Sequence, residues 1–148
     1  MSMWYQVVID ADDNDTFMVT APAFPEVTSF GSSQPEACAH GRAAIEEAIA
    51  ARIADNEDIP HPLTKPLKGR GRLCVEVPAM VFVKSALYMI CREQGVTRAV
   101  LARRLKWHRE QVDRLFRLDH KSQLDQLEAA FKEVGVPLCF DLPFPRAA

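Results

Sequence analysis

The chain has 148 residues, of which 48% are hydrophobic and 26% charged, as is ordinary for a folded globular protein. No apolar stretch is long enough to span a bilayer, and the N-terminus lacks the features of a signal peptide, so we expect a cytoplasmic protein. The net charge of −2 is the sum of opposed parts, because residues 1–63 carry −9 and residues 84–121 carry +6. This asymmetry predicts two different partners: nucleic acid for the basic part and a basic protein for the acidic part.

The first half of the sequence predicts a small sheet packed against one helix. Runs rich in aromatic and β-branched residues are typical of strands, and four are present: Trp4–Ile9, Thr16–Thr20, Val27–Phe30 and Arg72–Val77. The acidic turn Asp10–Asp15 closes the first two runs into a hairpin. Pro22 and Pro25 predict a loop after the second run, because proline cannot continue a strand ladder. The order β-β-β-α-β indicates an α+β layer.

Residues Gln34–Ala54 predict the helix of this layer. Ser33 and Glu36 have the spacing of a capping box, in which the serine oxygen accepts a hydrogen bond from the Glu36 amide and the carboxylate reaches back to the serine amide. Apolar and small residues recur every four positions and form one stripe: Ala37, Gly41, Ile45, Ile49 and Ile53. The following residues 55–71 contain three prolines and two glycines and predict an irregular segment.

From Pro78 onward the sequence is mainly helical. Helices are predicted at Met80–Gln94, Arg98–Leu105, Arg109–Leu118 and Ser122–Val134. Gly95 ends the first of them, and Thr97 caps the second. A last short strand is predicted at Leu138–Leu142. We therefore expect an α+β domain over residues 1–77 and an all-α domain over residues 78–148.

The second and third of these helices have the spacing of a helix-turn-helix, a motif that places its second helix in the major groove of DNA. Ala102 supplies the small residue needed where the two helices touch, and Trp107 fills the turn. The core-facing positions of the pair are apolar: Leu101, Leu105, Val112 and Leu115. The turn of this motif usually contains glycine because the backbone there tends toward positive φ. Lys106 occupies that position here, at a cost of about 1 kcal/mol.

Basic and amide side chains surround this pair of helices. Arginine can bond guanine and glutamine can bond adenine in the major groove, and further cations suit phosphates. The predicted DNA contacts are Arg98, Arg103, Arg104, Lys106, His108, Arg109, Gln111, Arg114 and Lys121. The alternative interpretation is a solvated basic face of a small helical bundle.

Other kinds of site have little support in the sequence. The cysteines are far apart and contain no C-x-x-C pair, which favours small buried hydrophobic residues over zinc ligands or disulfides: Cys38, Cys74, Cys91 and Cys139. Asp10, Asp12 and Asn14 begin like a calcium loop, but Asp15 and Ala21 replace the glycine and glutamate that such a loop requires. We therefore expect no metal site, cofactor or catalytic residue.

Taken together, these patterns resemble the HicB family of antitoxins, in the subgroup with a helix-turn-helix C-terminus. In the N-terminal half the resemblance rests on Tyr5–Ile9, the acidic turn, Phe17–Val19, the loop from Pro22 to Val27, the helix Gln34–Ala54 and Ile59-Pro60. The more specific matches are Leu101–Leu105, Gln111–Leu115, Leu118–Lys121 and Leu124–Leu127. The chain departs from the family at Pro22–Glu26, which lacks the acid and glycine often found there, and at Lys106.

The resemblance implies a truncated ribonuclease H-like N-terminal domain without catalytic carboxylates. In the family this domain binds HicA, a small basic toxin that cleaves mRNA, and the antitoxin represses its own operon. We therefore expect an antitoxin and transcription repressor that is not an enzyme and that binds palindromic operator DNA as a homodimer or higher homo-oligomer. The predicted toxin contacts are Asp10, Asp12, Asp13, Phe24 and Glu26.

Two alternatives stay open at this point. One is a stand-alone helix-turn-helix transcription factor whose N-terminal domain senses a small ligand. The other is a metal-dependent nuclease that uses Asp10, Asp12 and Asp13, since magnesium sites use carboxylates. The nuclease is disfavoured because these three residues lie on one turn, whereas catalytic carboxylates usually converge from different elements.

Overall fold

The computed structural model describes residues 1–147 as a four-stranded antiparallel sheet with one long helix, followed by four further helices. The strands are β1 (Trp4–Ala11), β2 (Phe17–Ala21), β3 (Phe24–Gly31) and β4 (Leu73–Glu76). The helices are α1 (Gln34–Ala54), α2 (Ala79–Gln94), α3 (Arg98–Leu105), α4 (Arg109–Leu115) and α5 (Leu124–Glu133). The strand order is β3-β2-β1-β4. The predicted α+β class, with a sheet first and helices after it, is confirmed.

Helix α1 packs against one face of this sheet. The predicted apolar stripe is confirmed, because all five of its residues are buried. Alternate residues of the strands, such as Tyr5 and Val7 in β1 and Val19 in β2, are buried in the same core. Gly41 lets the helix approach the sheet closely, because a Cβ atom there would lie 2.8 Å from Cγ2 of Val19.

The start of α1 follows the predicted cap only in part. The Ser33 hydroxyl accepts a hydrogen bond from the Glu36 amide at 3.2 Å, as predicted. The predicted return bond from the Glu36 carboxylate to the Ser33 amide is wrong, because the carboxylate accepts a hydrogen bond from the Ser32 hydroxyl instead. Ser32 offers a side-chain donor one helical turn before Glu36, and this donor takes the place of the backbone amide.

The sequence predicted a loop that is bounded by Pro22 and Pro25. This prediction is wrong for Pro25, which lies in a strand. The turn contains only Pro22 and Ala23, and β3 begins at Phe24, so that it includes Pro25 and is longer than predicted. Strand β3 lies at the edge of the sheet, and its register with β2 shifts between Thr20 and Ala21. An edge strand with a register shift tolerates proline, because the missing amide need not donate to a neighbouring strand.

The C-terminal half contains the four predicted helices, but α4 ends at Leu115 and not at the predicted Leu118, and the expected last strand is wrong. Residues Leu138–Leu142 form no strand, because within residues 1–147 no other strand lies beside them to pair with.

The burial expected for the cysteines is also only partly correct: Cys91 is buried, Cys38 and Cys74 are half-buried, and Cys139 on this tail is exposed. In the described range, no helix combines the length and apolar character needed to cross a membrane.

Helix α2 links the two halves of the chain. The Tyr88 hydroxyl donates to the carbonyl oxygen of Glu57 at 2.7 Å, and the Arg92 guanidinium pairs with the Asp58 carboxylate at 2.8 Å. Buried side chains from the sheet, from α1 and from the C-terminal helices form one continuous hydrophobic cluster. The position of the C-terminal helices is therefore defined relative to the sheet.

Of the six glycines, Gly31 at the end of β3 has the least room for a side chain, and we expect Gly31→Ala to destabilise the protein. A Cβ atom at this position would lie 2.3 Å from the backbone nitrogen of Ala37 in α1. Overpacking of this kind costs about 1–3 kcal/mol. Urea denaturation followed by circular dichroism should show this loss. Thr28→Ala, at an exposed position on the same strand, is the control and should change stability by about 0.5 kcal/mol or less. Equal stability of the two variants would contradict the close approach.

Candidate functional site

Helices α3 and α4 are joined by a turn of three residues, 106–108. Lys106 has φ 57° and ψ 39°, the left-handed conformation that was predicted for this position. The Trp107 amide donates to the carbonyl oxygen of Ala102 at 2.9 Å and closes the end of α3. Thr97 caps the start of α3, because its hydroxyl accepts from the Val100 amide at 3.2 Å. Both ends of α3 are therefore defined by local hydrogen bonds.

The inner face of this helix pair is apolar, as the sequence predicted. Leu101, Val112 and Leu115 are fully buried, and Ala102 is buried where the two helices meet. Leu105 and Trp107 are only partly buried and pack against the edge of the core. Because this inner face is buried, the opposite face of the helix pair, here called the outer face, is directed to the solvent.

Seven of the nine predicted DNA contacts are exposed. Arg109 is one of them, and the other six surround α3 and α4: Arg103, Arg104, Lys106, His108, Arg114 and Lys121. Within residues 1–147, none of these six takes part in an ion pair. On α4, Arg114 lies on the side of the helix opposite the buried residues Val112 and Leu115. The helix pair therefore presents a basic outer surface whose charges are accessible to an anionic partner.

The other three predicted contacts are engaged within the protein. Arg98 and Arg109 both reach Oδ1 of Asp113 at 3.2 Å, and the Arg98 guanidinium lies 5.1 Å from the centroid of the Phe116 ring. Oε1 of Gln111 accepts from the His108 amide at 2.9 Å. Exposed ion pairs contribute at most about 1 kcal/mol, so Arg109 can exchange its partner at small cost. Arg98, half-buried against an aromatic ring, mainly connects α3 to α4.

Lys84 supports this surface from beneath and was not singled out by the sequence analysis. Its ammonium group is fully buried and donates to the carbonyl oxygens of Arg114, Arg117 and His120 at 2.9, 2.6 and 2.7 Å. Burial lowers the pKa of this group to about 8, and the Asp119 carboxylate opposes the shift. The sequence did contain a signal that Lys84 is buried, because this residue falls on the apolar stripe of α2 between Val81 and Tyr88.

An open cleft of about 1070 Å³ lies between the end of α1 and the starts of α3 and α4. Four arginines line it: Arg92, Arg98, Arg109 and Arg117. Arg117 pairs with Asp119 at 3.0 Å, as Arg92 pairs with Asp58. The sequence analysis did not name Arg92 or Arg117 as site residues, because the cleft that they line is formed by segments that are distant in the sequence.

The predicted toxin contacts lie in the other half of the chain. Asp10 is near the end of β1, and Asp12 and Asp13 are in the turn before β2; all three are exposed. The turn is held by the Asp12 amide, which donates to the Thr16 carbonyl oxygen at 2.8 Å. Among residues 1–147, no group of three or more histidine, cysteine, aspartate and glutamate side chains is placed to hold a metal ion. The turn therefore presents these three carboxylates to the solvent together with that of Asp15, which is also exposed.

Phe24 and Glu26 are arranged differently from the acidic turn. Phe24 is fully buried, with its ring centroid 4.8 Å from that of Tyr5 and the Arg52 guanidinium 5.4 Å above it. Glu26 pairs with Arg52 at 2.8 Å, and the hydrogen bond from Arg52 lowers the pKa of the Glu26 carboxyl. A partner would therefore contact the residues that cover the Phe24 ring and not the ring itself.

Comparison with known proteins identifies the family. The profile described as the HicB-like antitoxin of bacterial toxin-antitoxin systems matches residues 4–86, more than half of the chain. The chain belongs to the HicB antitoxin family. Antitoxin HicB of Escherichia coli strain K12 is 30% identical over 136 residues, which cover 92% of this chain and 96% of that protein. Antitoxin HicB 2 of Photorhabdus laumondii is 29% identical over 134 residues, covering 90% and 92%, and antitoxin HicB of Pseudomonas fluorescens is 32% identical over 111 residues, covering 75% of each chain.

These matches confirm the resemblance seen in the sequence. The HicB-like profile covers the sheet, α1 and the first half of α2, and it ends at residue 86, before α3 and α4 begin. The first of the HicB relatives covers 92% of this chain, more than the profile match alone. The HicB family assignment therefore rests on both the N-terminal layer and the chain as a whole.

We expect Lys84→Met to destabilise this HicB antitoxin strongly. The change keeps the aliphatic length of the side chain but removes the hydrogen bonds that the ammonium group donates to the carbonyl oxygens of Arg114, Arg117 and His120. A hydrogen bond to a charged group contributes about 1.5–3 kcal/mol. The measurement is urea denaturation of the purified protein. Lys132→Met, which removes an exposed lysine of α5, is the matched control and should change stability by about 0.5 kcal/mol or less. A small loss for Lys84→Met would show that water replaces the ammonium group.

Proposed function

We propose that this HicB-family protein neutralises a small HicA-like, mRNA-cleaving toxin and represses its own operon by binding operator DNA in the cytoplasm. The protein performs no catalysis. One observation carries this proposal: an unpaired basic surface on α3 and α4 and an exposed acidic turn between β1 and β2 lie on different halves of one molecule. Each surface suits a partner of opposite charge, and each repels the partner of the other.

The DNA-binding part of the proposal treats α3 and α4 as a helix-turn-helix. The left-handed turn at Lys106, the small Ala102 at the crossing point and the buried Leu101, Val112 and Leu115 support this interpretation. The second helix of such a motif enters the major groove. Arg114 then faces the base edges, while Arg103 and Arg104 at the end of α3 are suited to phosphates. Two copies in a homo-oligomer would read a palindromic operator.

The toxin-binding part of the proposal uses the acidic N-terminal half, a sheet with one helix on one face, as in a truncated ribonuclease H fold. The carboxylates of Asp10, Asp12 and Asp13 project from the β1–β2 hairpin. Glu26 lies near the start of β3, at the opposite end of β2, and is paired with Arg52. Clustered charges of one sign accelerate association with an oppositely charged protein. They are less suited to the nuclease alternative, because Asp10, Asp12 and Asp13 all come from a single hairpin.

We expect Arg114→Ala to weaken operator binding by about 1–3 kcal/mol, because this side chain is exposed, unpaired and directed away from the protein core. Arg109→Ala should have a smaller effect, because Asp113 already holds that guanidinium. Fluorescence anisotropy with labelled operator DNA at several salt concentrations measures both. Arg42→Ala, which removes an exposed arginine of α1, serves as the control and should bind like the unmodified protein. Full affinity and an unchanged salt dependence in Arg114→Ala would remove α4 from the DNA interface.

We expect replacement of Asp10, Asp12 and Asp13 by asparagine to slow association with the HicA-family toxin of the same operon. The loss should be at least tenfold at low salt and should shrink as salt rises, because screening removes long-range attraction. Stopped-flow mixing measures the rate. The matched control replaces three exposed acids of α5, Asp125, Glu128 and Glu133, by their amides and changes the net charge equally. Equal slowing by both triple variants would show that net charge matters and the position of the turn does not.

A further inference from the structure

The carboxylate of Asp113 on α4 is shared by two arginines. Nη1 of Arg98, at the start of α3, and Nε of Arg109, at the start of α4, both lie 3.2 Å from Oδ1 of Asp113. Because both donors reach the same oxygen atom, the two guanidinium groups lie side by side around it. Two positive charges therefore meet one negative charge, and a net positive charge remains where the two helices begin.

The contacts to Asp113 are loose compared with the ion pair between α1 and β3. The Arg52–Glu26 pair closes at 2.8 Å, and Arg52 donates hydrogen bonds to both carboxylate oxygens. The hydrogen bonds from Arg98 and Arg109 to Asp113 both end on Oδ1, at 3.2 Å. Charge-assisted N–H···O bonds are usually about 2.7–2.9 Å long, and the strongest arginine–carboxylate pairs are bidentate. Asp113 is therefore a weakly held counter-ion that can be exchanged for another anion.

Both guanidinium groups keep donors for a further anion. Within residues 1–147, Arg98 donates a hydrogen bond only through Nη1 and Arg109 only through Nε, in each case to Asp113. The side chain of Arg109 is 57% exposed, and both arginines line the open cleft beside α3 and α4. The Arg98 guanidinium also lies 5.1 Å from the centroid of the Phe116 ring, a contact that does not depend on Asp113. An anion that enters from the solvent therefore meets two cations that are already side by side.

A phosphate group of DNA can engage this pair of arginines more fully than Asp113 does. Arginine binds a phosphate through two parallel N–H···O bonds, and the phosphate has two free oxygen atoms to accept them. In a helix-turn-helix the first helix crosses the DNA backbone, and the N-terminal residues of the second helix enter the major groove. Arg98 and Arg109 are the first residues of α3 and α4, so DNA bound in this way brings a phosphate close to both.

We propose that Asp113 is an internal substitute for a DNA phosphate: its carboxylate lies between Arg98 and Arg109 in the free protein, and a phosphate of the operator displaces it on binding. The proposal rests on the DNA-binding part of the proposed function and adds to it a phosphate position with a built-in competitor. The competition lowers the affinity for every duplex alike, because phosphate contacts carry no sequence information. An acceptor for the amino group of a cytosine, the other role open to an aspartate in the major groove, would act on the operator alone.

The first test is the affinity of Asp113→Asn for operator DNA and for an unrelated duplex of the same length, measured by fluorescence anisotropy. We expect both duplexes to bind about threefold more tightly or better, because the two arginines no longer give up an ion pair. Glu128→Gln, at an exposed acid of α5, changes the net charge equally and should bind like the unmodified protein. Equal tightening by the two variants, or weaker binding of the operator alone by Asp113→Asn, would overturn the proposal.

The fold of the variant is checked by circular dichroism and urea denaturation. Asparagine keeps the size of the side chain and one oxygen acceptor, so we expect the fold to be unchanged. Asp113→Ser, which also removes the carboxylate, is the second variant and should tighten binding to both duplexes in the same way. Two folded variants that both bind as the unmodified protein does would show that Asp113 does not compete with DNA.

The second test measures Arg109→Ala in the unmodified protein and in the Asp113→Asn variant. In the unmodified protein, Arg109 must leave Asp113 to bind a phosphate, so part of its contribution to DNA binding cancels. Without that carboxylate, Arg109→Ala should weaken operator binding by about a further threefold or more. Equal effects in the two backgrounds would overturn the exchange. If the unmodified protein binds no duplex at low salt, the proposed function itself fails, and that outcome is distinct from an unchanged affinity in Asp113→Asn.

Discussion

The buried ammonium group of Lys84 holds the end of α4 and the residues after it against α2. A charged group without water needs several hydrogen-bond acceptors, and the carbonyl oxygens of Arg114, Arg117 and His120 supply three. The helix that contains Lys84 is also bonded to the N-terminal half through Tyr88 and Arg92. One helix thereby connects the sheet to the end of α4 and directs the outer face of α4 to the solvent.

The two charged surfaces differ from the contacts between elements in how their charges are paired. Asp10, Asp12 and Asp13 form no ion pair within residues 1–147. The same holds for six exposed predicted DNA contacts around α3 and α4: Arg103, Arg104, Lys106, His108, Arg114 and Lys121. Of the six ion pairs within residues 1–147, three lie at junctions between different elements. Examples are Arg52–Glu26 between α1 and β3 and Arg92–Asp58 between the two halves. Charges at the junctions are thus neutralised internally, while those on the two outer surfaces remain free for partners of an antitoxin.

Several elements could be predicted because their causes are local. The bounds of α1 and α3 match the prediction, since Ser33 and Thr97 cap them and Lys106 ends α3 in the left-handed conformation. The buried positions of the helix pair follow from periodicity in the same way. Pro25 was misjudged because only the strand order of the sheet shows that β3 is an edge. The strand expected at Leu138–Leu142 is absent because a strand needs a partner, and the single chain provides none there.

The sequence by itself therefore determined the class of fold, the bounds of α1 and α3 with the hydroxyl caps at Ser33 and Thr97, the charge division and the family. Tertiary structure alone decided which charged and aromatic residues are available to a partner. Lys84 is buried, Arg98 and Arg109 share Asp113, and Phe24 lies beneath Arg52. The physical reason is range: caps and periodicity act over a few neighbouring residues, whereas burial and ion pairing depend on surfaces that meet only when distant segments pack together.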